Sequence, residues 1–137
     1  MKTSQVILLA VLFAACSKSS SNSMTPPSGN INFSSQVQPI FTANCALSGC
    51  HAGSSPQQGQ NLSAGQAYSN IVSVRSAEAP SFFRVNPSNS DSSYLYMKIT
   101  GDPRIGNTAR MPYGKSPLGA SDIQTIKNWI DQGALNN

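Results

Sequence analysis

The stretch that decides the interpretation of this chain is NCALSGCH, residues 44–51. It contains two of the three cysteines, Cys45 and Cys50, and the only histidine, His51. Four residues separate the two cysteines, and the histidine directly follows the second one. Two thiols and an imidazole this close in sequence predict a disulfide, a metal site or an attachment site for a cofactor.

The N-terminal segment predicts the compartment in which these thiols are found. Lys2 precedes an apolar run at residues 6–15, which is shorter than the roughly 20 residues of a membrane-spanning helix. A basic start, a short apolar run and small residues before a cleavage point are typical of a secretory signal, here residues 1–15. LFAAC, residues 12–16, resembles a bacterial lipobox, which implies that Cys16 receives a lipid.

The predicted location is therefore the cell envelope, with the protein lipid-anchored at Cys16 and facing the periplasm. Residues 16–30 are rich in Ser, Pro and Asn and bury too little to fold, which predicts a flexible lipidated linker. Ser17 follows the cysteine instead of an aspartate, which favours the outer membrane in a double-membraned bacterium. This compartment permits disulfides and haem attachment.

The remaining residues, 31–137, have the length of one small domain. Removal of residues 1–15 deletes one of the nine basic residues and none of the five acidic ones, so the formal charge falls from +4 to +3. This charge is weak and scattered, and we expect no nucleic-acid partner. We find no glycine-rich phosphate loop in the sequence.

Four segments predict helices, because their apolar residues recur at i, i+3 and i+4, and no segment alternates as a strand does. They lie near residues 36–44, 63–72, 90–99 and 121–130. The predicted helix boundaries are two capping boxes, Ser63 with Gln66 and Ser121 with Gln124, and two C-terminal glycines, Gly101 and Gly133.

Three long polar loops join these helices, at residues 52–61, 73–89 and 102–120. Structureless loops of this length are uncommon in so small a domain. We expect them to wrap a large group that is not protein, so the predicted fold is all-α, with about four helices and long loops.

Several alternatives for the cysteine segment lack residues that they need. The segment offers Cys45, Cys50 and His51 as ligands. A structural zinc site needs four Cys or His ligands, and blue copper needs two histidines and a cysteine. A Cys nucleophile activated by His51 lacks an orienting third group and an oxyanion site. A Cys45–Cys50 disulfide stays open, and it would make the protein an interaction or structural module of the envelope.

Covalent haem is the other alternative that stays open. In c-type attachment two thiols add to the haem vinyl groups and the next histidine binds iron, normally within Cys-x-x-Cys-His. Cys50 and His51 keep the second half of this arrangement. On a continuous helix the wider gap would rotate the two thiols roughly 140° apart. The hypothesis therefore predicts a break between Ala46 and Gly49, where glycine tolerates unusual backbone angles.

A haem of this kind needs a second axial ligand, for which Met97 and Met111 are the candidates. Met97 falls within the third predicted helix, where a methionine is typical of a core. Met111 precedes Pro112, which favours an extended backbone that presents the side chain from a loop. The pattern favours Met111.

Four pieces of the chain resemble single-haem c-type cytochrome domains of bacterial envelope proteins, including the planctomycete-type cytochrome c group. They are VQPIFTANCALSGCHAG (37–53), NLSAGQAYSNIVSV (61–74), RVNPSNSDSSYLYMKITGDP (84–103) and ARMPYGKSPLGASDIQTIKNWIDQGA (109–134). The pieces occur in the family's order, and only the stretched cysteine gap departs from its commonest pattern.

The resemblance implies a cytochrome c-like fold with one covalent haem c. It implies that Cys45 and Cys50 attach the haem, that His51 is the proximal ligand and that Met111 is the distal ligand. The expected function is single-electron transfer to redox partner proteins of the envelope, not enzymatic catalysis. A haem domain that feeds an enzyme, and a peroxidase or gas sensor without Met111 on the iron, stay open. The residues expected to pack around the ring are Phe41, Tyr94, Leu118, Ile126 and Trp129.

Overall fold

Helices supply the regular secondary structure of residues 29–137, the part of the chain that the computed structural model describes. The four α-helices are α1 (Gln38–Asn44), α2 (Ala67–Ile71), α3 (Tyr94–Thr100) and α4 (Ala120–Asp131). The helical character that the apolar spacing predicts is confirmed. The predicted signal segment, Cys16 and the linker up to residue 28 lie outside the described residues.

Extended pairing within residues 29–137 is limited to three isolated bridges. Val72 pairs with Val85, and Phe83 pairs with both Arg75 and Ser93. These bridges fix loop 73–89 between the end of α2 and the start of α3. Within this same range, no helix combines the length and the apolar character needed to cross a membrane.

The first helical segment begins earlier than its apolar spacing predicts. A π-helical turn, Phe33–Val37, leads directly into α1, and the Asn32 side chain accepts a hydrogen bond from the Ser35 amide at 2.9 Å. Pro39 lies in the first turn of α1, immediately after this π-helical turn, and it has no N–H to donate to the helix. Asn32 is a good cap, but the serines that follow it lack the apolar period that predicts a helix.

Both predicted capping boxes are wrong. Gly65 has a left-handed φ of 76°, so Ser63 and Gln66 cannot share a regular first turn, and α2 begins only at Ala67. The last helix begins at Ala120 with Gly119 as its N-cap, which places Ser121 inside the helix. Ala is the strongest helix former, so the helix extends one residue before the serine.

Both predicted helix stops are confirmed. Gly101 follows α3 with a left-handed φ of 72°, and Gly133, with φ 103°, lies just past the end of α4. An added Cβ at Gly101 would lie 2.8 Å from the Cδ atom of Arg110. Glycine is therefore required there twice, by its backbone angle and by the close approach of the arginine.

An aromatic cluster centred on Phe33 joins the two ends of the domain. Its ring centroid lies 5.1 Å from that of Trp129, 5.5 Å from that of Tyr68 and 6.3 Å from that of Phe41. The Phe33 amide also donates to the side chain of Asn137 at 2.8 Å. The first and last described segments thus pack together on one side of the fold, which leaves the opposite wall of the core to the loops.

Candidate cofactor site

The three long loops meet around a cavity of about 420 Å³ next to the core. Small-molecule and cofactor sites usually measure ~300–1,000 Å³, so this cavity has the size of such a site. Loop 52–61 supplies Gln57 and Gln60, loop 73–89 supplies Glu78 and Arg84, and loop 102–120 supplies Met111 among others. All three loops therefore line one common space.

All four predicted site residues line this one cavity. Cys45, Cys50 and His51 come from the segment after α1, and Met111 comes from loop 102–120, some 60 residues further along the chain. The fold thus brings two thiols, an imidazole and a thioether to the wall of a single space. Nothing in the local sequence of either segment requires this meeting, so it depends on the tertiary structure.

The helix ends before the break that was predicted between Ala46 and Gly49. Helix α1 ends at Asn44, so Cys45 is its C-cap and neither cysteine is helical. Gly49 has a left-handed φ of 77°, which turns the chain back. The His51 amide then donates to the Cys45 carbonyl at 3.2 Å. The four-residue gap therefore forms a closed turn, and both thiols face the same cavity.

The two thiols differ in their environments, and both are free. Cys50 is exposed, whereas Cys45 is half-buried. Burial, with a smaller contribution from Cys50, raises the pKa of Cys45 to about 11, and the nearby Lys115 opposes the rise. A raised pKa leaves less thiolate at a given pH, and the thiolate is the form that reacts with electrophiles.

Thiol alkylation should therefore separate the two cysteines. In reduced protein made without a cofactor, we expect iodoacetamide to modify Cys50 first at pH 8. A thiol whose pKa is about 11 instead of 9.0 has about 100-fold less thiolate there, so Cys45 should react slowly and speed up with pH to at least 9.5. Peptide mass mapping would measure both rates. Equal rates in the folded protein would contradict the difference, and unfolding in urea is the control that should equalise them.

His51 is held by its Nδ1 atom, which lies 3.2 Å from the carbonyl oxygen of Gln60. A carbonyl only accepts, so Nδ1 carries the proton, and Nε2 of the neutral ring keeps its lone pair. Burial lowers the pKa of His51 and outweighs the opposite effect of backbone hydrogen bonds with Gln60 and Gln57, so the neutral form is favoured. Histidines that ligate metals usually donate their other ring N–H to a carbonyl in this way.

Arg84 fixes the segment that carries the Gln60 carbonyl. It is only 8% exposed, and its guanidinium donates to the carbonyls of Gln58 at 2.7 Å, Gly59 at 3.4 Å and Asn70 at 2.7 Å. These bonds pin the residues immediately before Gln60 to the end of α2. The arginine therefore positions the carbonyl that orients His51, and it does so from loop 73–89.

The structure separates the two candidate methionines. The Met111 amide donates to the Lys98 carbonyl at 2.9 Å, which fixes this loop residue beside α3, and its half-buried side chain lines the cavity. The peptide bond between Met111 and Pro112 is cis. Met97 is fully buried and does not line the cavity. The expectation that Met97 belongs to the core is confirmed.

Four of the five residues expected to pack around a ring lie on the cavity wall, namely Phe41, Tyr94, Leu118 and Ile126. Trp129 does not line this cavity. Its ring packs against Phe33 and its indole N–H donates to the Leu135 carbonyl at 2.9 Å, so it belongs to the core behind the cavity. Ile126 and Trp129 belong to the same apolar stripe of α4, and residue spacing alone does not say which of them lines the cavity.

Sequence reasoning missed the charged residues of the cavity wall, which are Glu78, Arg84, Lys98 and Lys115. Three cations and one anion leave this wall with a formal charge of +2. One signal was present, since Lys98 follows Tyr94 at the i+4 spacing that places both on one face of α3. Arg84 carried no such signal, because its partners are backbone carbonyls.

The donor set fits a covalently attached haem. Two free thiols and an imidazole whose Nε2 is unprotonated line a mostly apolar cavity, together with a thioether. Within residues 29–137, no three Cys, His, Asp or Glu side chains converge as a metal site made of those types alone. Comparisons with family models, with curated proteins and with solved structures find no match to this chain.

Proposed function

We propose that this chain is a c-type cytochrome of the cell envelope, which carries single electrons on one covalently bound haem. Cys45 and Cys50 would form the thioethers, and His51 and Met111 would be the axial ligands. The observation that carries the proposal is the meeting of these four side chains on the wall of one cavity.

The wall residues account for electron transfer without catalysis. The haem iron supplies the redox chemistry, and a methionine ligand gives a higher reduction potential than a second histidine would. Two protein ligands leave no coordination position for a substrate. The apolar side chains of Phe41, Leu118 and Ile126 line the cavity, where they would exclude water from a bound haem, disfavour its more charged ferric state and so raise the potential further.

The anchoring and the partners belong to the same proposal. Lipid at Cys16 would hold the domain at the membrane, on the periplasmic side, through a flexible linker that ends near residue 30. Stable anchoring by acyl chains needs two or more of them, as bacterial lipidation provides. Redox proteins of the envelope are the proposed partners. Exposed residues at the cavity mouth, among them Cys50 and Tyr113, mark the side from which electrons would enter and leave.

Redox spectroscopy with carbon monoxide tests the proposed function. The holoprotein should show one reversible single-electron transition, and its reduced spectrum should not change under carbon monoxide, because both axial positions are taken. Rapid carbon monoxide binding by the native protein would contradict the carrier function and favour the gas sensor or peroxidase. A Met111→Ala variant is the positive control for carbon monoxide binding.

A further inference from the structure

A buried lysine on the cavity wall is not explained by the four proposed haem ligands. The Lys98 side chain is 8% exposed, and its Nζ atom lies 2.9 Å from the Oε2 atom of Glu78. The Tyr94 hydroxyl, one helical turn earlier, donates to the same oxygen at 3.3 Å and lies 3.0 Å from the Thr108 hydroxyl. Two donors on one helix thus converge on a single carboxylate oxygen inside the cavity.

The two donors lie on a helix, whereas the carboxylate lies on a loop. Lys98 and Tyr94 are fixed on α3, whose apolar residues Leu95 and Ile99 pack into the core. Glu78 comes from loop 73–89, and its side chain is more exposed, at 24%. The donors are therefore the rigid part of this site, and the carboxylate is the part that a loop movement would exchange.

The Lys98 ammonium group also has N–H donors that are not used. An ammonium group has three N–H donors, and among the described residues Glu78 is the one hydrogen-bond acceptor that Nζ contacts. Burying a cation is costly unless an anion accompanies it, so Lys98 requires a carboxylate or a similar group at this place. Arg84, the other buried cation of the wall, is already bonded to three carbonyls.

We infer that Lys98 and Tyr94 form a carboxylate site for a propionate of the porphyrin, and that Glu78 occupies this site until the propionate displaces it. The inference rests on the proposed function, since it assigns a second part of the same cavity. The charge of the wall agrees with it, because Glu78 is its one carboxylate, and its displacement would leave Arg84, Lys98 and Lys115 facing the two carboxylates of the porphyrin. The carboxylate site would then select the carboxylate-bearing edge of the ring.

Porphyrin binding by protein made without haem tests this carboxylate site. Ferric protoporphyrin IX and its dimethyl ester would be titrated separately into reduced protein, and the ratio of their dissociation constants read from absorbance. We expect the wild type to prefer the free acid. The charge-neutral double variant Lys98→Met/Glu78→Gln should lose about 10- to 100-fold of that preference, the size of one charged hydrogen bond. Circular dichroism would verify that the variant is folded.

A matched control separates a specific site from the overall charge of the protein. Lys127 and Asp131 form an exposed ion pair on α4, 2.6 Å apart, and line no part of this cavity. The double variant Lys127→Met/Asp131→Asn likewise replaces a lysine by methionine and a carboxylate by its amide, and it should leave the preference for the free acid unchanged. Glu78→Gln alone should strengthen free-acid binding relative to the ester, whereas Asp131→Asn should not.

The outcomes distinguish the two proposals. An unchanged acid-over-ester preference in the folded Lys98→Met/Glu78→Gln variant would overturn the carboxylate site and leave the haem proposal intact. If the double variant does not fold, an unchanged preference in Glu78→Gln overturns it instead. Failure of the wild type to bind either porphyrin would instead count against the haem proposal itself.

Discussion

Replacing Met111 by alanine is expected to change the iron site more than any other single substitution outside the haem motif. Met111 is fixed beside α3 because its backbone N–H donates a hydrogen bond to the Lys98 carbonyl, and its thioether lines the cavity. The oxidised holoprotein should show a weak charge-transfer band near the red end of the visible spectrum, from the sulfur–iron bond. Met111→Ala should abolish this band, lower the reduction potential and admit cyanide or carbon monoxide.

Met97→Leu is the matched control for that experiment. Met97 is fully buried outside the cavity, and leucine has nearly the same volume. The substitution should cost less than about 1.5 kcal/mol in the free energy of unfolding and leave the charge-transfer band unchanged. Loss of the band in Met97→Leu but not in Met111→Ala would refute the assignment. Loss in neither variant would mean that another group holds the sixth position.

Removing both cavity cysteines is expected to abolish covalent attachment completely. Cys45 and Cys50 are free, and both line the cavity on either side of a closed turn. Protein carrying Cys45→Ser and Cys50→Ser, made in a host with cytochrome c maturation, should give a denatured gel band without haem stain. Each single variant should retain stain through its remaining thioether, with a shifted absorption band because one vinyl group stays conjugated to the ring.

The third cysteine provides the control for this loss. Cys16→Ser should prevent lipid attachment and leave haem stain intact, because Cys16 is the first residue of the linker and has no part in the proposed haem site. Haem stain that survives the loss of both Cys45 and Cys50 would contradict the thioether assignment. Loss of stain in Cys16→Ser protein that is still exported would contradict the separation of the two roles.

Sequence patterns predicted the parts of the site that are local. The histidine directly after Cys50, the left-handed turn at Gly49 and the proline after Met111 each restrict a few neighbouring residues, and local restrictions of this kind can be read from a sequence. The stop at Gly101 is of the same type, because a left-handed residue after a helix favours glycine. These predictions required no information on tertiary packing.

The parts that sequence did not predict depend on contacts between distant segments. The failed capping box at Ser63 is the exception, because the left-handed turn at Gly65 that disrupts it is local and is not part of the Ser-x-x-Gln pattern. Trp129 and Ile126 share one helix and one apolar stripe, and only the packing of Phe33 decides that the indole lies in the core. Arg84 orients His51 by donating hydrogen bonds to backbone carbonyls. Every residue carries such a carbonyl, so the sequence does not indicate which ones Arg84 binds.

Covalent haem in the wild-type protein is the central claim, and its most direct measurement is the haem content of the exported chain. Protein from a host with cytochrome c maturation should be red, and its intact mass should show one haem per chain. That haem should resist extraction by acidified acetone, because thioether bonds hold it. A colourless, correctly exported protein whose mass shows a Cys45–Cys50 disulfide would contradict the account.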